Sequence, residues 1–393
     1  MLATAAIYLD RQVLALTADK IIGDFHLTKE GFGRIIAIFR YSYGLVQIFG
    51  GFIVDAQGPG IVFPVASGLW SLSGLLTGFA GTVQLLTACR VSLGLGEAFN
   101  WPCALKITNA LLPPQDRPLA NGIFNSGAAI GALVAPVIVT VITIYFSWRA
   151  AFVFTGAVGA VWVIVWIWYV RGNREQLKGA PFSARKMFAA TLYIVSHRMF
   201  WALLVAAIII NGVAYYLADW VPLYLKLSRG FSFAVGNILS IFVYAGSSIG
   251  NLLVGILVRW LASRGIETTT AKRVALIACS CLMLSSILAG LIRYRYLVVV
   301  LLAMTSMGAA GFLVIYQTLL QDIEPTYVGI TSGLLGGIGN LAYGYLSPYI
   351  GRLADLHKSF ITLILIGILP SLACVAILCG LKSNNHDGRL HSC

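Results

Sequence analysis

Apolar stretches long enough to cross a lipid bilayer recur along the whole chain and are separated by short polar breaks. A spanning helix needs about 20 residues. The stretches are continuously apolar and do not alternate, so they predict helices and not the strands of a barrel. Twelve helices are predicted, over residues 1–18, 33–55, 60–80, 84–110, 118–142, 146–170, 200–226, 233–260, 271–291, 295–320, 327–352 and 358–381. The predicted fold class is an all-α membrane protein with twelve transmembrane helices.

The predicted helices form two groups of six on either side of the longest polar interruption. This division predicts an N-terminal six-helix bundle over 1–170, a cytoplasmic linker over 171–199, a C-terminal six-helix bundle over 200–382 and a disordered tail over 383–393. Two six-helix halves around a central site are a common layout of secondary transporters. Only seven residues precede Tyr8 in the first helix, so we expect a start codon assigned too late or a truncated chain.

Composition excludes a soluble globular protein, because 59% of the residues are hydrophobic, 10% are charged and the mean hydropathy is +0.87. The net charge of +13 could indicate a nucleic-acid partner, but membrane topology explains it better. The linker is rich in basic residues: Arg171, Arg174, Lys178, Arg185, Lys186 and Arg198. By the positive-inside rule this segment and both termini are cytoplasmic, and the protein is expected in the bacterial inner membrane with no nucleic-acid partner.

Ionisable residues inside the predicted spanning helices are the most informative feature. Each costs about 2.5–3.5 kcal/mol on insertion scales. They lie in the first half of the chain: Asp10, Arg11, Arg40, Arg90, Glu97 and Lys106. At matching depth the second half offers polar, uncharged candidates for substrate binding: Tyr215, Tyr244, Ser247, Tyr316, Gln317 and Asn340. A charged half and a neutral polar half suit a small organic anion with hydroxyl groups.

Several short runs resemble the anion:cation symporters of the major facilitator superfamily, particularly bacterial hexuronate, glucarate and galactonate transporters. In the first half they are Tyr8-Leu-Asp-Arg11, Gly94-Leu-Gly-Glu97-Ala-Phe-Asn100-Trp101-Pro102, Phe124-Asn125-Ser126-Gly127 and Ser147-Trp148-Arg149-Ala-Ala-Phe152. The resemblance covers almost the whole chain and is weaker in the second half. It implies a proton-coupled symporter in which Asp10 and Glu97 carry protons and Arg11 binds the substrate carboxylate.

The chemistry of these side chains agrees with that implication. A carboxyl group in a low-dielectric cavity can load and unload a proton near neutral pH. Arg11 keeps its charge and presents a planar fork that matches a carboxylate. The alternative interpretation is that Asp10, Arg11, Arg90 and Glu97 only neutralise one another and hold helices together.

The resemblance and the helical spacing add further candidates. Substrate contacts are expected from Tyr8, Arg40, Tyr43, Gln47, Asn100, Trp101 and Asn125. Gating is expected from Asp55, Arg90, Gly127, Gly131 and Pro136. The family usually has an uncharged residue at the position of Arg40. This arginine therefore either favours a dianionic substrate, or snorkels or pairs with a glutamate.

Other functional classes fit the sequence less well. An enzyme is not expected, because the chain shows no nucleophile constellation, no Gly-rich phosphate loop and no metal-ligand spacing, and no cofactor is predicted. An organic-anion or sugar-phosphate exchanger of the same fold and a non-transporting nutrient sensor stay open. The coupling ion is predicted to be the proton, with sodium as the alternative. The expected partners are the anion, the ion and membrane lipid, and the expected state is a monomer.

Overall fold

The computed structural model describes residues 2–111, 117–170, 177–178, 184–323 and 328–387. In these residues the chain forms seventeen α-helices and no strands. The helices are α1 Leu2–Leu16, α2 Ala18–Asp24, α3 Lys29–Gln57, α4 Pro59–Gly78, α5 Val83–Glu97, α6 Asn100–Leu111, α7 Arg117–Tyr145, α8 Trp148–Val170, α9 Ala184–Ser196, α10 Arg198–Asp219, α11 Val221–Leu227, α12 Phe233–Ser263, α13 Thr268–Met283, α14 Ser285–Leu291, α15 Arg295–Ile323, α16 Val328–Asp355 and α17 Ser359–Asp387. The predicted all-α fold class is confirmed.

Each of the twelve predicted helices has a counterpart, and three of them are divided in two. The predicted helix 84–110 becomes α5 and α6, 200–226 becomes α10 and α11, and 271–291 becomes α13 and α14. Pro222 lies in the first turn of α11 and has no backbone N–H to donate, which explains the second division. Short α2 and α9 were not predicted as helices, and α9 lies inside the predicted linker.

The surfaces of the long helices fit a lipid environment. In the described part of the chain, eight helical segments are long and apolar enough to cross a membrane, judged by length and composition. On α8 the large apolar side chains of Ile164 and Trp168 are 69% and 75% exposed. An apolar surface of this kind is stable against lipid and unfavourable in water.

The chain divides into two compact units. Unit 1 contains Met1–Ala184, Asp219–Ile241 and Tyr343–Asp355. In it α4 packs against α8 and α5, α1 packs against α7 and α8, and α3 packs against α5. Gly156 of α8 permits the close approach of α4, because a Cβ there would lie 2.5 Å from the backbone nitrogen of Leu75.

Backbone donors at the start of α3 hold the 343–355 segment within unit 1. The amide N–H groups of Lys29 and Glu30 donate to the two carboxylate oxygens of Asp355 at 3.0 and 2.9 Å. The first N–H groups of a helix have no partner within it, and the positive end of the helix dipole favours an anion there. Asp355 satisfies both requirements for α3.

Unit 2 contains Arg185–Ala218, Phe242–Ala342 and Leu356–Cys393. In it α13 and α14 each pack against α15 and α17. Ser285, at the start of α14, donates to the carbonyl oxygen of Leu301 on α15 at 3.0 Å. The predicted boundaries between bundles, linker and tail, after residues 170, 199 and 382, stay predictions. The last helix, α17, extends five residues beyond the last of these boundaries, to Asp387.

Candidate functional site

Four ionisable side chains inside unit 1 form a charged cluster: Asp10, Arg11, Arg90 and Glu97. Arg11 donates through Nε to Oε2 of Glu97 at 2.5 Å, joining α1 to α5 across 86 positions of sequence. The Glu97 side chain is 0% exposed, whereas that of Arg11 keeps 19% of its surface. The other oxygen of Glu97, Oε1, has no hydrogen-bond partner among the described residues. The ion pair therefore leaves half of a buried carboxylate unsatisfied.

Asp10 has a different environment from Glu97. Its Oδ1 accepts a hydrogen bond from the Thr155 hydroxyl of α8 at 2.7 Å, and its Oδ2 has no hydrogen-bond partner in the described chain. Arg90 is buried, lies within electrostatic range of Asp10 and Glu97, and stacks on the Phe152 ring with Cζ 4.9 Å from the centroid. Its Nε and Nη2 make no hydrogen bond to the described residues. The cluster is thus balanced in formal charge but incompletely hydrogen-bonded.

Aromatic rings surround the guanidinium of Arg11. Its Cζ lies 4.8 Å from the ring centroid of Tyr43, 5.4 Å from that of Tyr8 and 5.7 Å from that of Phe39. Desolvated cation–π contacts of this kind each contribute about 0.5–2 kcal/mol. The rings hold the cation at a position where part of it is accessible. The substrate contacts expected from Tyr8 and Tyr43 stay predictions.

Arg40 is ion-paired. Its Nη2 donates to Oδ2 of Asp219 at 2.9 Å, with side chains 6% and 17% exposed. The guanidinium also lies 5.4 Å from the ring centroids of Phe39 and Tyr343. Snorkelling does not describe this side chain, and its partner is an aspartate instead of the glutamate that was considered. A role of Arg40 in substrate binding stays a prediction.

The other first-half candidates lie on the same helices of unit 1. Asn100 is buried at the start of α6, whereas Trp101 and Gln47 are half-buried. Gly127, Gly131 and Pro136 are buried in α7, and Gly131 lies against Ala5 and Tyr8 of α1. The side chains of Asn125 and Asp55 lie outside the described residues. Gly131 contacts Tyr8, and the ring of Tyr8 in turn lies beside Arg11 of the charged cluster. The gating roles of these residues stay predictions.

The second-half candidates belong to unit 2. Tyr316 is buried and Tyr215 is half-buried. Tyr244 is buried, and its hydroxyl lies 3.5 Å from the carbonyl oxygen of Ala218. Asn340 is buried and donates to the carbonyl oxygen of Gly336 at 3.0 Å. Ser247 is half-buried and Gln317 is exposed. Their substrate contacts stay predictions.

Several polar contacts of unit 1 were not predicted. Thr155 is one threonine in an apolar helix, and nothing in the sequence distinguishes it. Asp219 ends the apolar run of α10, just before Trp220, which is a signal that could have identified it. Asp24 accepts from Trp148 Nε1 at 2.8 Å and from Arg149 Nη1 at 2.7 Å. These hydrogen bonds, the one from Trp148 foremost, lower the pKa of Asp24 below its ordinary value.

Similar proteins identify the family. The sequence profile of the Major Facilitator Superfamily matches residues 1–343. The chain is 28% identical over 412 residues to the probable galactarate/D-glucarate transporter GarP of Escherichia coli K12, covering 96% of this chain and 92% of that protein. It is 27% identical over 369 residues to the hexuronate transporter of Bacillus subtilis, covering 90% and 86%.

Solved structures show the same fold. The D-xylose-proton symporter matches with a TM-score of 0.73 at 15% identity, covering 96% of this chain and 95% of that one. A bacterial homologue of the human lysosomal transporter Spinster, inward-facing and occupied, also has a TM-score of 0.73, at 21% identity and with 97% and 90% covered. The resemblance found in the sequence is confirmed, and the chain belongs to the Major Facilitator Superfamily.

Proposed function

We propose that this protein is a secondary active transporter that moves a small sugar acid across the membrane together with protons. The observation that carries the proposal is the Arg11–Glu97 ion pair inside the charged cluster, in which the carboxylate is fully buried. Ionisable groups at membrane depth mark substrate and proton pathways. A partly exposed arginine bonded to a fully buried carboxylate provides one group for an anion and one for a proton.

The substrate class follows from Arg11 and from the relatives. The relatives are named as a probable galactarate/D-glucarate transporter and a hexuronate transporter, and each of these substrates carries at least one carboxylate. Arg11 offers a permanent positive charge and a planar donor fork to such a group. The tyrosines around it add hydroxyl groups for the sugar chain.

Charge balance explains how proton and anion movements are coupled. The cluster contains two carboxylates and two guanidinium groups, so an added anion leaves an uncompensated negative charge in a region of low dielectric. Protonation of Glu97 removes that excess and releases Arg11 from its ion pair. Asp10 is the second proton carrier in this proposal, as the family resemblance implies. The proton thus makes Arg11 available to the substrate, and loss of the proton restores the competing carboxylate.

The test is uptake of labelled D-glucarate or a hexuronate by proteoliposomes with an acidic exterior. We expect accumulation that a protonophore abolishes and that an inward sodium gradient at equal pH does not replace. Binding without accumulation under any gradient would contradict transport and favour a nutrient sensor. Uptake driven by sodium alone would replace the proton as coupling ion.

We also propose that both termini lie in the cytoplasm of the bacterial cell and that the protein works as a monomer. The basic residues of 171–199 support this orientation. Single-cysteine labelling from outside intact cells tests it. A residue introduced in the linker should be protected, whereas one introduced in the loop before Lys29 should react.

A further inference from the structure

The Thr155 hydroxyl faces two acceptors at once. Its Oγ1 lies 2.7 Å from Oδ1 of Asp10 and 3.2 Å from the carbonyl oxygen of Phe152 in its own helix. All of these contacts are buried. A hydroxyl has one hydrogen to donate and two lone pairs that accept. Thr155 can therefore donate to only one of the two oxygens at full strength at any moment.

The protonation state of Asp10 decides which acceptor Thr155 uses. An ionised carboxylate only accepts, so Thr155 donates to Asp10. When a proton adds to Oδ1, the new O–H donates to Thr155 Oγ1, and the threonine hydrogen turns to the Phe152 carbonyl oxygen. One proton is gained, one hydroxyl rotates and no heavy atom has to move. Asp10 is hydrogen-bonded in both states.

Close packing restricts other donors on this side of Asp10. A Cβ on Gly74 of α4 would lie 3.2 Å from Asp10 Oδ1 and 3.3 Å from the Cα of Gly156. The two glycine backbones leave little space for a water molecule beside Oδ1. Thr155 is thus the group on α8 that hydrogen-bonds to Oδ1 of Asp10.

Three charged groups lie near Asp10. They are Arg11 on the same helix and Arg90 and Glu97 on α5. The sequence has no titratable residue over 59–78 in α4, over 118–144 in α7 or over 150–168 in α8. Lys226 of α11 contacts α1 at the Leu16 carbonyl and not at Asp10. A substitution at Thr155 therefore removes a hydrogen bond to Asp10 without changing any of the charged groups near it.

We propose that Thr155 is a positioning residue that hydrogen-bonds Asp10 in both of its protonation states and thereby sets the pH at which Asp10 exchanges its proton. The inference rests on the proposed function, in which Asp10 is one of the proton carriers. Hydrogen bonds to a charged group are roughly twice as strong as neutral ones. Removing the hydroxyl should therefore destabilise ionised Asp10 more than protonated Asp10.

The experiment compares Thr155→Val, which keeps the shape and loses the hydroxyl, with Thr155→Ser, which keeps the hydroxyl. The pH dependence of sugar-acid uptake is measured in proteoliposomes. We expect the half-maximal pH of Thr155→Val to move upward by about one unit, and that of Thr155→Ser to match the wild type. Infrared difference spectra should show the protonated Asp10 carbonyl band at higher frequency in Thr155→Val. Thr155→Ala serves if the valine variant does not fold.

A wild-type pH profile and carbonyl band in Thr155→Val would overturn the inference. Asp10→Asn separates this result from a failure of the proposed function. If Asp10→Asn leaves proton-driven uptake intact, Asp10 carries no proton and that part of the proposed function fails. If Asp10→Asn abolishes proton-driven uptake while Thr155→Val behaves like the wild type, only the role of Thr155 is wrong.

Discussion

Arg40 and Asp219 form an ion pair with an N–O distance of 2.9 Å although 179 positions of sequence separate them. Both side chains have little exposure, so neither charge is well solvated when its partner is absent. Removing one member of a buried pair costs more than removing both, because the remaining charge stays buried and unpaired. A double-mutant cycle isolates this coupling.

The first prediction concerns this pair. Asp219→Asn should lower the free energy of unfolding by about 3 kcal/mol, and Arg40→Met with Asp219→Asn should recover part of that loss. Thermal unfolding in detergent measures these two variants and Arg40→Met alone. A double variant that is as unstable as the sum of the two single variants would show that the pair contributes no coupling.

The second prediction concerns Arg11. Arg11→Lys keeps the charge and loses the planar fork, so affinity for a sugar acid should fall at least about tenfold. Isothermal titration measures the affinity. The matched control is Arg34→Lys, because Arg34 is exposed and pairs with Glu30 within α3. Equal losses in both variants, or none in Arg11→Lys, would contradict a substrate contact at Arg11.

The third prediction concerns Glu97. Glu97→Gln mimics a permanently protonated carboxyl, so counterflow of substrate should persist while accumulation driven by a pH gradient should be lost. Both assays use the same proteoliposomes. Glu267→Gln, at an exposed position before α13, is the control and should behave like the wild type. Normal pH-driven accumulation by Glu97→Gln would assign proton coupling to another group.

The fourth prediction concerns net charge movement. If Asp10 and Glu97 both carry protons, two protons can enter with one monoanion, and one net positive charge moves inward. Each such charge gains about 2.3 kcal/mol per 100 mV. Uptake of a hexuronate at equal pH should therefore increase with a valinomycin-imposed potential that is negative inside. Indifference to the potential would indicate one proton per cycle and a structural role for Asp10.

The fifth prediction concerns helix packing behind Asp10. Gly156→Ala should destabilise the protein by about 1–3 kcal/mol, because a methyl group would overlap the α4 backbone at Leu75. Gly68→Ala on α4 is the control, since a Cβ there meets nothing within 4 Å. Thermal unfolding should separate the two variants clearly. Equal melting temperatures would show that α4 and α8 can move apart at little cost.

The sequence alone determined where the helices lie and which charged residues form the cluster inside unit 1. Backbone groups in lipid must be satisfied within each segment, so hydropathy over about 20 residues is a local property that predicts a helix without knowledge of its neighbours. Asp10, Arg11, Arg90 and Glu97 were identified for the related reason that a charge inside an apolar helix is costly wherever that helix packs.

Only the tertiary structure decided which of these groups meet. Arg11 bonds Glu97 across 86 positions, and Asp10, its neighbour in sequence, bonds Thr155 across 145 positions instead. The choice depends on how α1 packs within unit 1, where the backbone of Gly74 on α4 lies close to Asp10 and Gly156 of α8 lies against the α4 backbone. The periodicity of the sequence shows which residues share one face of a helix. Which other helix that face contacts depends on how all the neighbouring helices pack together.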